Sequence, residues 1–373
     1  MIETLELPKA RFGDLIRRLK DRGYTVIGPT LGDGAIIYDE IGGVEDLPRG
    51  WIDEQDAGRY HLARSDRDYF FDFVVGPHSW KRYLFPPRLT LLRVTRTESD
   101  LRCEQPALQT APGPMAFLGV RACELAAIDI QDAVFIGGPF VEQHYKLRRD
   151  QAFLVAVNCL RPGGTCFCVS MKTGPRAEKG FDLALTEFDD VFMVEVGTPA
   201  GRAMLDGFDL AAASTARRDE AETLLAAAAR RMGRQLDTSD LPQLLLDRLE
   251  HPRWKEVAER CLSCTNCTMV CPTCFCSDVE EVDDLRLESS ERVRVWDSCF
   301  SQAFSYVHGG TKRPNIHDRY RQWLTHKLAT WHQQFGTSGC VGCGRCITWC
   351  PPGIDITEEV AAIRGTPVGE TTL

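Results

Sequence analysis

The sequence predicts an α+β fold, a mixed α/β domain at the N-terminus followed by a smaller helical domain. Three observations predict it. Before residue 215 the chain is a series of short β-rich runs separated by turns. At residue 215 it changes to a strongly helical stretch, RRDEAETLLAAAARRM. Beyond residue 250 a cysteine pattern, C-x2-C-x2-C-x3-C-P, occurs twice.

In chain order, the opening MIETLELPKARFGDLIRRLKDRGY reads as an amphipathic helix ending at Gly23, and it lacks the apolar core of a signal peptide. The expected strands are YTVIGPT, GAIIYDE, YFFDFVVG, RLTLLRV, MAFLGVRAC, AFLVAVNCL, FDLALTEF and VFMVEVG. Helices between them are too few for strict βαβ alternation, so the sheet is expected to be mixed. The helix from Thr215 to about Gln235 is followed by Asp237-Thr238-Ser239-Asp240, a cluster of N-cap residues, and by a second helix that His251-Pro252 breaks. The last third is expected to be helical, including a helix from Asn315 to Phe335 capped by Gly336. These signals divide the chain into a mixed α/β domain (1–215), a helical linker (216–250) and an α-helical ferredoxin-like domain (251–373).

The first cysteine run holds Cys261, Cys264, Cys267 and Cys271, and the second Cys340, Cys343, Cys346 and Cys350. Three thiolates at every-third spacing wrap a loop round one face of an iron–sulfur cube, and the fourth reaches across to the other cube. This crossing rule predicts two foursomes, Cys261, Cys264, Cys267 and Cys350 for one 4Fe-4S cluster and Cys340, Cys343, Cys346 and Cys271 for the other. The competing reading is a pair of zinc knots, which would normally join two C-x2-C units across a long spacer. About seventy residues separate the two runs, more than in compact bacterial ferredoxins.

A second thiol group, Cys123, Cys159, Cys166 and Cys168, would complement a third 4Fe-4S cluster, with Gly163 and Gly164 letting the backbone fold tightly. Alternatively, Cys123 and Cys159 are small buried apolar residues at strand ends. Cys103, Cys274, Cys276 and Cys299 remain. The last three could bind a metal with His308, or shield the cubes and donate weak hydrogen bonds to cluster sulfurs. Trp349 beside Cys350 is placed to exclude water, and Arg345 brings a cation that would raise the potential of the second cluster. Trp296, Trp323 and Trp331 read as similar packing residues.

Composition bounds the function. At 373 residues the chain exceeds one usual core, and 43% hydrophobic with 26% charged residues is ordinary for a globular protein. A net charge of −9 argues against nucleic acid or an anionic membrane as the main partner. No stretch is long and apolar enough to span a membrane. Sixteen cysteines without an export signal imply a reducing compartment, hence the cytoplasm. No G-x-G-x-x-G follows a strand, which argues against a dinucleotide site. Lys312, Arg313, Arg319, Arg321 and Lys327 could form a docking face, or simply a solvated helix face.

GVRACELAAI, NCLRPGGTCFCVSMKTGP, CLSCTNCTMVCPTCFC, RVWDSCF, SYVHGG, RYRQWLTHKLATW and QFGTSGCVGCGRCITWCPPGIDITEE together resemble the iron–sulfur β subunit of soluble bidirectional (group 3b type) nickel–iron hydrogenases, or sulfhydrogenases. The A subunit of anaerobic sulfite reductase is related to that family. The resemblance spans about residues 70 to 360. It implies an electron-transfer subunit, without substrate chemistry of its own, between a flavin- and NAD(P)-binding γ subunit and the hydrogenase small and large subunits. It also implies that the two foursomes are ligands, and it favours the third cluster. Three departures stand out: Thr265 and Lys172 stand where the family commonly has glycine, and Pro351-Pro352 is stiffer than usual. Two alternatives stay open, an electron-transfer subunit of a sulfite reductase complex and a flavin- or thiol-dependent reductase in its own right.

Overall fold

The computed structural model describes residues 2–74, 76–109, 112–286 and 288–365. The end of the expected ferredoxin-like domain, 366–373, lies outside the described residues. In chain order the strands are β1 (Thr4–Pro8), β2 (Thr25–Gly32), β3 (Ala35–Glu40), β4 (Trp51–Asp56), β5 (Arg59–Arg64), β6 (Arg88–Arg96) and β7 (Leu101–Glu104). They continue with β8 (Met115–Val120), β9 (Phe153–Val157), β10 (Leu183–Glu187), β11 (Val191–Val196), β12 (Ala211–Ala212), β13 (Ser277–Asp283) and β14 (Ser289–Trp296). The fold is α+β.

Eight strands form one sheet in the order β12-β1-β11-β10-β9-β8-β2-β3. Its centre is parallel and its flanks are antiparallel, so the sheet is mixed as expected. The central strands are apolar on both faces: FLVAV in β9 is buried at every position, as strands covered by helices on two sides must be. Alternation then sorts the side chains. Leu118, Val155, Leu183 and Leu185 meet Phe12, Leu15, Ile16 and Leu19 of the helix Phe12–Asp21. Phe117, Leu154, Ala156 and Ala184 meet Leu125 and Ile128 of the helix Ala122–Phe135 on the opposite face.

The structure corrects several expectations. The N-terminal segment is not one helix: Leu5 and Leu7 alternate inward on β1 against β11, and only Phe12–Asp21 is helical, closed by Gly23 at φ 86°. YFFDFVVG forms no strand over its described residues. Buried side chains satisfy its backbone instead, with the Glu187 carboxylate accepting from Phe70 N (2.8 Å) and Phe71 N (2.9 Å), and Arg121 donating to the carbonyls of Phe71 and Phe73. Cys123 does not end a strand but lies in the first turn of the helix after β8.

The helix at 215 runs Thr215–Arg230 and is capped by Ser214, whose hydroxyl accepts from Arg217 N. The next spans Leu241–Asp247. Asp240 precedes it in the left-handed region and pairs with Arg364 instead of capping.

The last third is not purely helical. Its β13 and β14 join β6 and β7 in an antiparallel sheet, order β13-β14-β6-β7, so a strand from between the cysteine runs pairs with the N-terminal region. Alternating Val293 and Val295 on β14 is the period-two pattern responsible. The rest is helical as expected: Arg253–Arg260, Ile316–Thr325, a π turn His326–Thr330, Trp331–Phe335 with Gly336 at φ 70°, and Ile356–Gly365. Trp254, Tyr320, Trp323, Leu328, Ile347 and Ile356 build its core, and cysteines of both runs pack against it.

Candidate metal centre

Both cysteine runs fold into the same loop, bond for bond. Ser263 N and Gly342 N each point at the first sulfur of their run, Cys261 Sγ and Cys340 Sγ, at 3.4 Å. Thr265 O and Gly344 O each then accept from the residues three and four positions on, starting the short helices Asn266–Met269 and Arg345–Thr348. The shared conformation is left-handed at matching positions: φ is 52° at Ser263 and 63° at Gly342, 69° at Thr265 and 76° at Gly344. A loop so curled turns its amide hydrogens and thiols toward one centre.

Lys172, the other departure from a family glycine, is also left-handed at φ 58°. Both departures therefore occupy backbone that costs an L-residue about 1–2 kcal/mol, and Thr265 makes no capping bond with its side chain. After subtracting glycine's own entropic cost of about 0.5–1 kcal/mol, Thr265→Gly is expected to raise stability by up to about 1 kcal/mol, read as a higher denaturation midpoint. A fall would show that the threonine side chain contributes something the backbone geometry does not reveal.

The thiols gather in three groups. Cys261, Cys264, Cys267 and Cys350 line a single cavity with Phe300, Tyr320, Trp323, Ile354 and Ile356, so the last cysteine of the second run faces the first three of the first, and Cys346 borders the same cavity. The thiol of Cys346 is pushed far up by burial and then by the neighbouring thiolates Cys340, Cys343 and Cys271, the second crossed foursome. Cys123 is raised by burial and then by Cys343 and Cys168, with Cys159 further down; Cys168 is pushed up to about 12 by burial, Cys159 and Cys343. Cys166 has the same neighbours, its sulfur 4.0 Å from Cys343 O.

The groups adjoin in a row. Cys267 of the first lies beside Cys271 of the second, and Cys343 of the second beside Cys123 and Cys168 of the third. All sixteen cysteines are free thiols. Among the described residues no three His, Cys, Asp or Glu side chains are set around one ion. Soft sulfur donors, spread round apolar space and met by backbone N–H groups, fit a cube larger than a single metal atom.

Neighbouring elements hold these loops in place. The turn of the β4–β5 hairpin, unforeseen from sequence although Asp56-Ala57-Gly58 sits between alternating strands, docks on the second run. Gly58 N donates to Ile347 O at 3.1 Å, and a Cβ at Gly58 would lie 2.9 Å from Cys350 O. Gly342 meets the third group: a Cβ there would lie 2.6 Å from Phe167 O.

Buried charge surrounds the second group. Arg345 is fully buried and ion-pairs with Glu124, whose carboxylate also accepts from Tyr38 Oη (2.8 Å), Trp80 Nε1 (3.0 Å) and Arg121 N (3.1 Å). Arg345 therefore is not the bare cation expected from sequence, because Glu124 offsets its charge. Lys327, only 3% exposed, donates to Cys271 Sγ at 3.3 Å, Thr273 Oγ1 at 2.9 Å and Gly339 O at 3.1 Å. Arg319 is also buried and donates to the carbonyls of Arg313 and Pro314. Two of the five cations of the expected docking face thus point inward, and Arg321 is held by Glu250 and Asp318.

Of the other cysteines, Cys103 is exposed on β7. Cys271 with Cys274, and Cys276 with Cys299, form hydrogen-bonded thiol pairs beside Lys327; the bond from Cys299 lowers Cys276 to about 7. His308 is exposed on the hairpin Tyr306–Thr311. Trp349 packs on Tyr60, ring centroids 5.1 Å apart. Sequence reasoning missed Glu124 and Lys327 as parts of the site. The signal for Glu124 was one carboxylate inside the apolar block ACELAAI.

Residues 260–354 match the model of the 4Fe-4S dicluster domain family. The chain carries a 4Fe-4S dicluster domain. Beyond that domain, the β subunit of sulfhydrogenase 2 from Pyrococcus furiosus is 28% identical over 366 residues, covering 96% of this chain and 98% of that one. The likeness therefore extends through the mixed sheet and the third thiol group as well as the dicluster domain. No solved structure matches the chain.

Proposed function

We propose that the chain is the electron-transfer subunit of a hydrogenase complex and binds three 4Fe-4S clusters. The observation that carries this reading is the row of three thiol foursomes, each within electrostatic reach of the next. Cys261, Cys264, Cys267 and Cys350 would hold the first cluster, Cys340, Cys343, Cys346 and Cys271 the second, and Cys123, Cys159, Cys166 and Cys168 the third. When bound, such clusters supply one-electron carriers whose potentials depend on burial, charge and hydrogen bonds to sulfur.

The protein's own part is placement and insulation. Trp323, Phe300 and Tyr320 exclude water from the first group, and Trp331 and Val341 pack on the second and third. The first group reaches the surface, and the third lies beneath an open groove. Cys264 is exposed and Leu262 is 65% exposed at one end. At the other, an open groove lined by Ala122, Leu125, Lys172 and Arg176 runs up to Gly174, whose Cβ position lies 3.2 Å from Cys168 Sγ. A relay needs a route from its outer carriers to partners, and the exposed Cys264 and the groove beside Cys168 offer one at each end.

The similarity to a sulfhydrogenase β subunit supports the partners: a flavin- and NAD(P)-binding γ subunit on one side and the hydrogenase small and large subunits on the other. Among the described residues no helix is long and apolar enough to cross a membrane. Together with the free thiols this supports a place in the cytoplasm. In this proposal the domain limits read from sequence, 1–215, 216–250 and 251–373, give a mixed α/β domain carrying the third cluster, a linker and a region carrying the other two.

Reconstitution tests the assignment. The chain alone is expected to turn over neither NAD(P)H nor hydrogen. Added to the separate γ and hydrogenase subunits, it should restore NAD(P)H-linked hydrogen evolution. Coupling to sulfite reduction in place of hydrogen evolution would move it to the sulfite reductase reading, and NAD(P)H turnover by the chain alone would overturn the relay.

A further inference from the structure

We propose that Lys327 is the internal counter-ion of the second cluster and raises that cluster's potential selectively. This deepens the relay reading and rests on Cys271 being a ligand there.

The sequence places Lys327 on an outer helix among other cations, yet the fold turns it inward. It sits in the π turn His326–Thr330, between the helices Ile316–Thr325 and Trp331–Phe335. Such a turn frees backbone groups from the regular helical ladder, and π turns recur at functional sites. Here Lys327 O accepts from Gly339 N at 2.8 Å and Ser338 Oγ at 3.3 Å, while Lys327 Nζ donates to Gly339 O at 3.1 Å. One residue thus clamps both sides of the peptide segment just before Cys340. Gly339 is required at that point, because a Cβ would lie 2.5 Å from the Trp331 ring.

A second ammonium hydrogen goes to Thr273 Oγ1 at 2.9 Å, and the third points at Cys271 Sγ at 3.3 Å. Among the described residues Lys327 makes no salt bridge to a carboxylate, in contrast to Arg345 with Glu124. An ammonium out of water needs an anion beside it. Cys271, Cys274 and Cys340 are the thiols nearest to its charge. A cube ligated by four thiolates is anionic and becomes more so on accepting an electron, so a fixed cation at contact distance favours the reduced form. The effect of Lys327 is local because its ammonium bonds to Cys271 of the second group; the first group has Arg319 nearby, which donates to the carbonyls of Arg313 and Pro314, and the third has a cation of its own in Arg121, which bonds to Cys159 as well as to Phe71 O and Phe73 O.

The test is an EPR-monitored redox titration of the full chain, comparing wild type with Lys327→Met and Lys327→Arg. Lys327→Met is expected to lower one cluster's reduced-to-oxidised ratio at fixed ambient potential at least tenfold, about 59 mV for a one-electron couple, with the other two unmoved. Lys327→Arg should restore most of it. Normal cluster signals with unmoved potentials, or an equal shift of all three, would overturn the proposal. A chain with no cluster signals even in wild type would instead overturn the relay reading beneath it.

If Lys327→Met does not fold, 15N-lysine-labelled wild type decides the matter by pulsed EPR. One reduced cluster should show coupling to a lysine nitrogen, and no coupling at any cluster would refute the contact.

Discussion

Cys350→Ala is expected to remove about four irons per chain from the site built by the first cysteine run, even though Cys350 belongs to the second. The cavity supports it, since Cys350 lines the same space as Cys261, Cys264 and Cys267; Cys346 also borders that space, but its other thiol neighbours are Cys340, Cys343 and Cys271. Cys264→Ala should therefore abolish the same EPR signal as Cys350→Ala. Cys346→Ala should abolish a different one, whose fourth ligand is Cys271. If Cys350→Ala instead removed the signal that Cys346→Ala removes, each run would be a self-contained site and the crossed arrangement would be wrong.

The second large effect concerns stability. Glu124→Ala removes one carboxylate that accepts from Tyr38, Trp80, the Arg121 backbone and Arg345, in a place only 1% exposed. Breaking a buried ion pair by deleting one partner costs about 3–5 kcal/mol, because the other charge is left uncompensated. The stranded neutral donors add to this, so the loss is expected at or above the top of that range. Glu124→Gln, which keeps an acceptor and the volume, should cost less. The double variant Glu124→Ala/Arg345→Met should recover part of the loss, since no buried cation then remains. Denaturant titration of the loaded chain measures all three. A Glu124→Ala chain as stable as wild type would mean that this buried network contributes nothing to the join between helix Ala122–Phe135 and the second cysteine run.

These two sites mark the limits of reading the sequence. The duplicated cysteine loop was legible because its spacing is local and the two runs repeat the pattern, down to the left-handed positions shared by Thr265 and Gly344. Most strands of the large sheet were legible for a similar reason, an apolar run such as FLVAV having few other fates. The segment YFFDFVVG was misread because its backbone is satisfied by Glu187, Arg121 and Asp53, partners brought from 21 to 117 residues away. The strands β13 and β14 were missed because the hairpin they form is completed by β6, which pairs with β14 from some two hundred residues earlier, and no local signal announces that pairing. Lys327 was read as surface charge because its helical neighbours are charged, and only the π turn sends it inward. Arg345 was seen correctly beside the second run, but its sequence neighbours gave no sign of Glu124.

The central claim is that thiolate foursomes in a row hold 4Fe-4S cubes that conduct electrons through the chain. Anaerobic quantitation of iron, acid-labile sulfide and zinc on the purified protein, with EPR of the reduced state, tests it most directly. About twelve irons and twelve sulfides per chain, with negligible zinc and magnetic coupling between neighbouring centres, is the expected result. About eight irons would remove the third cluster from the relay, and stoichiometric zinc without sulfide would contradict the account altogether.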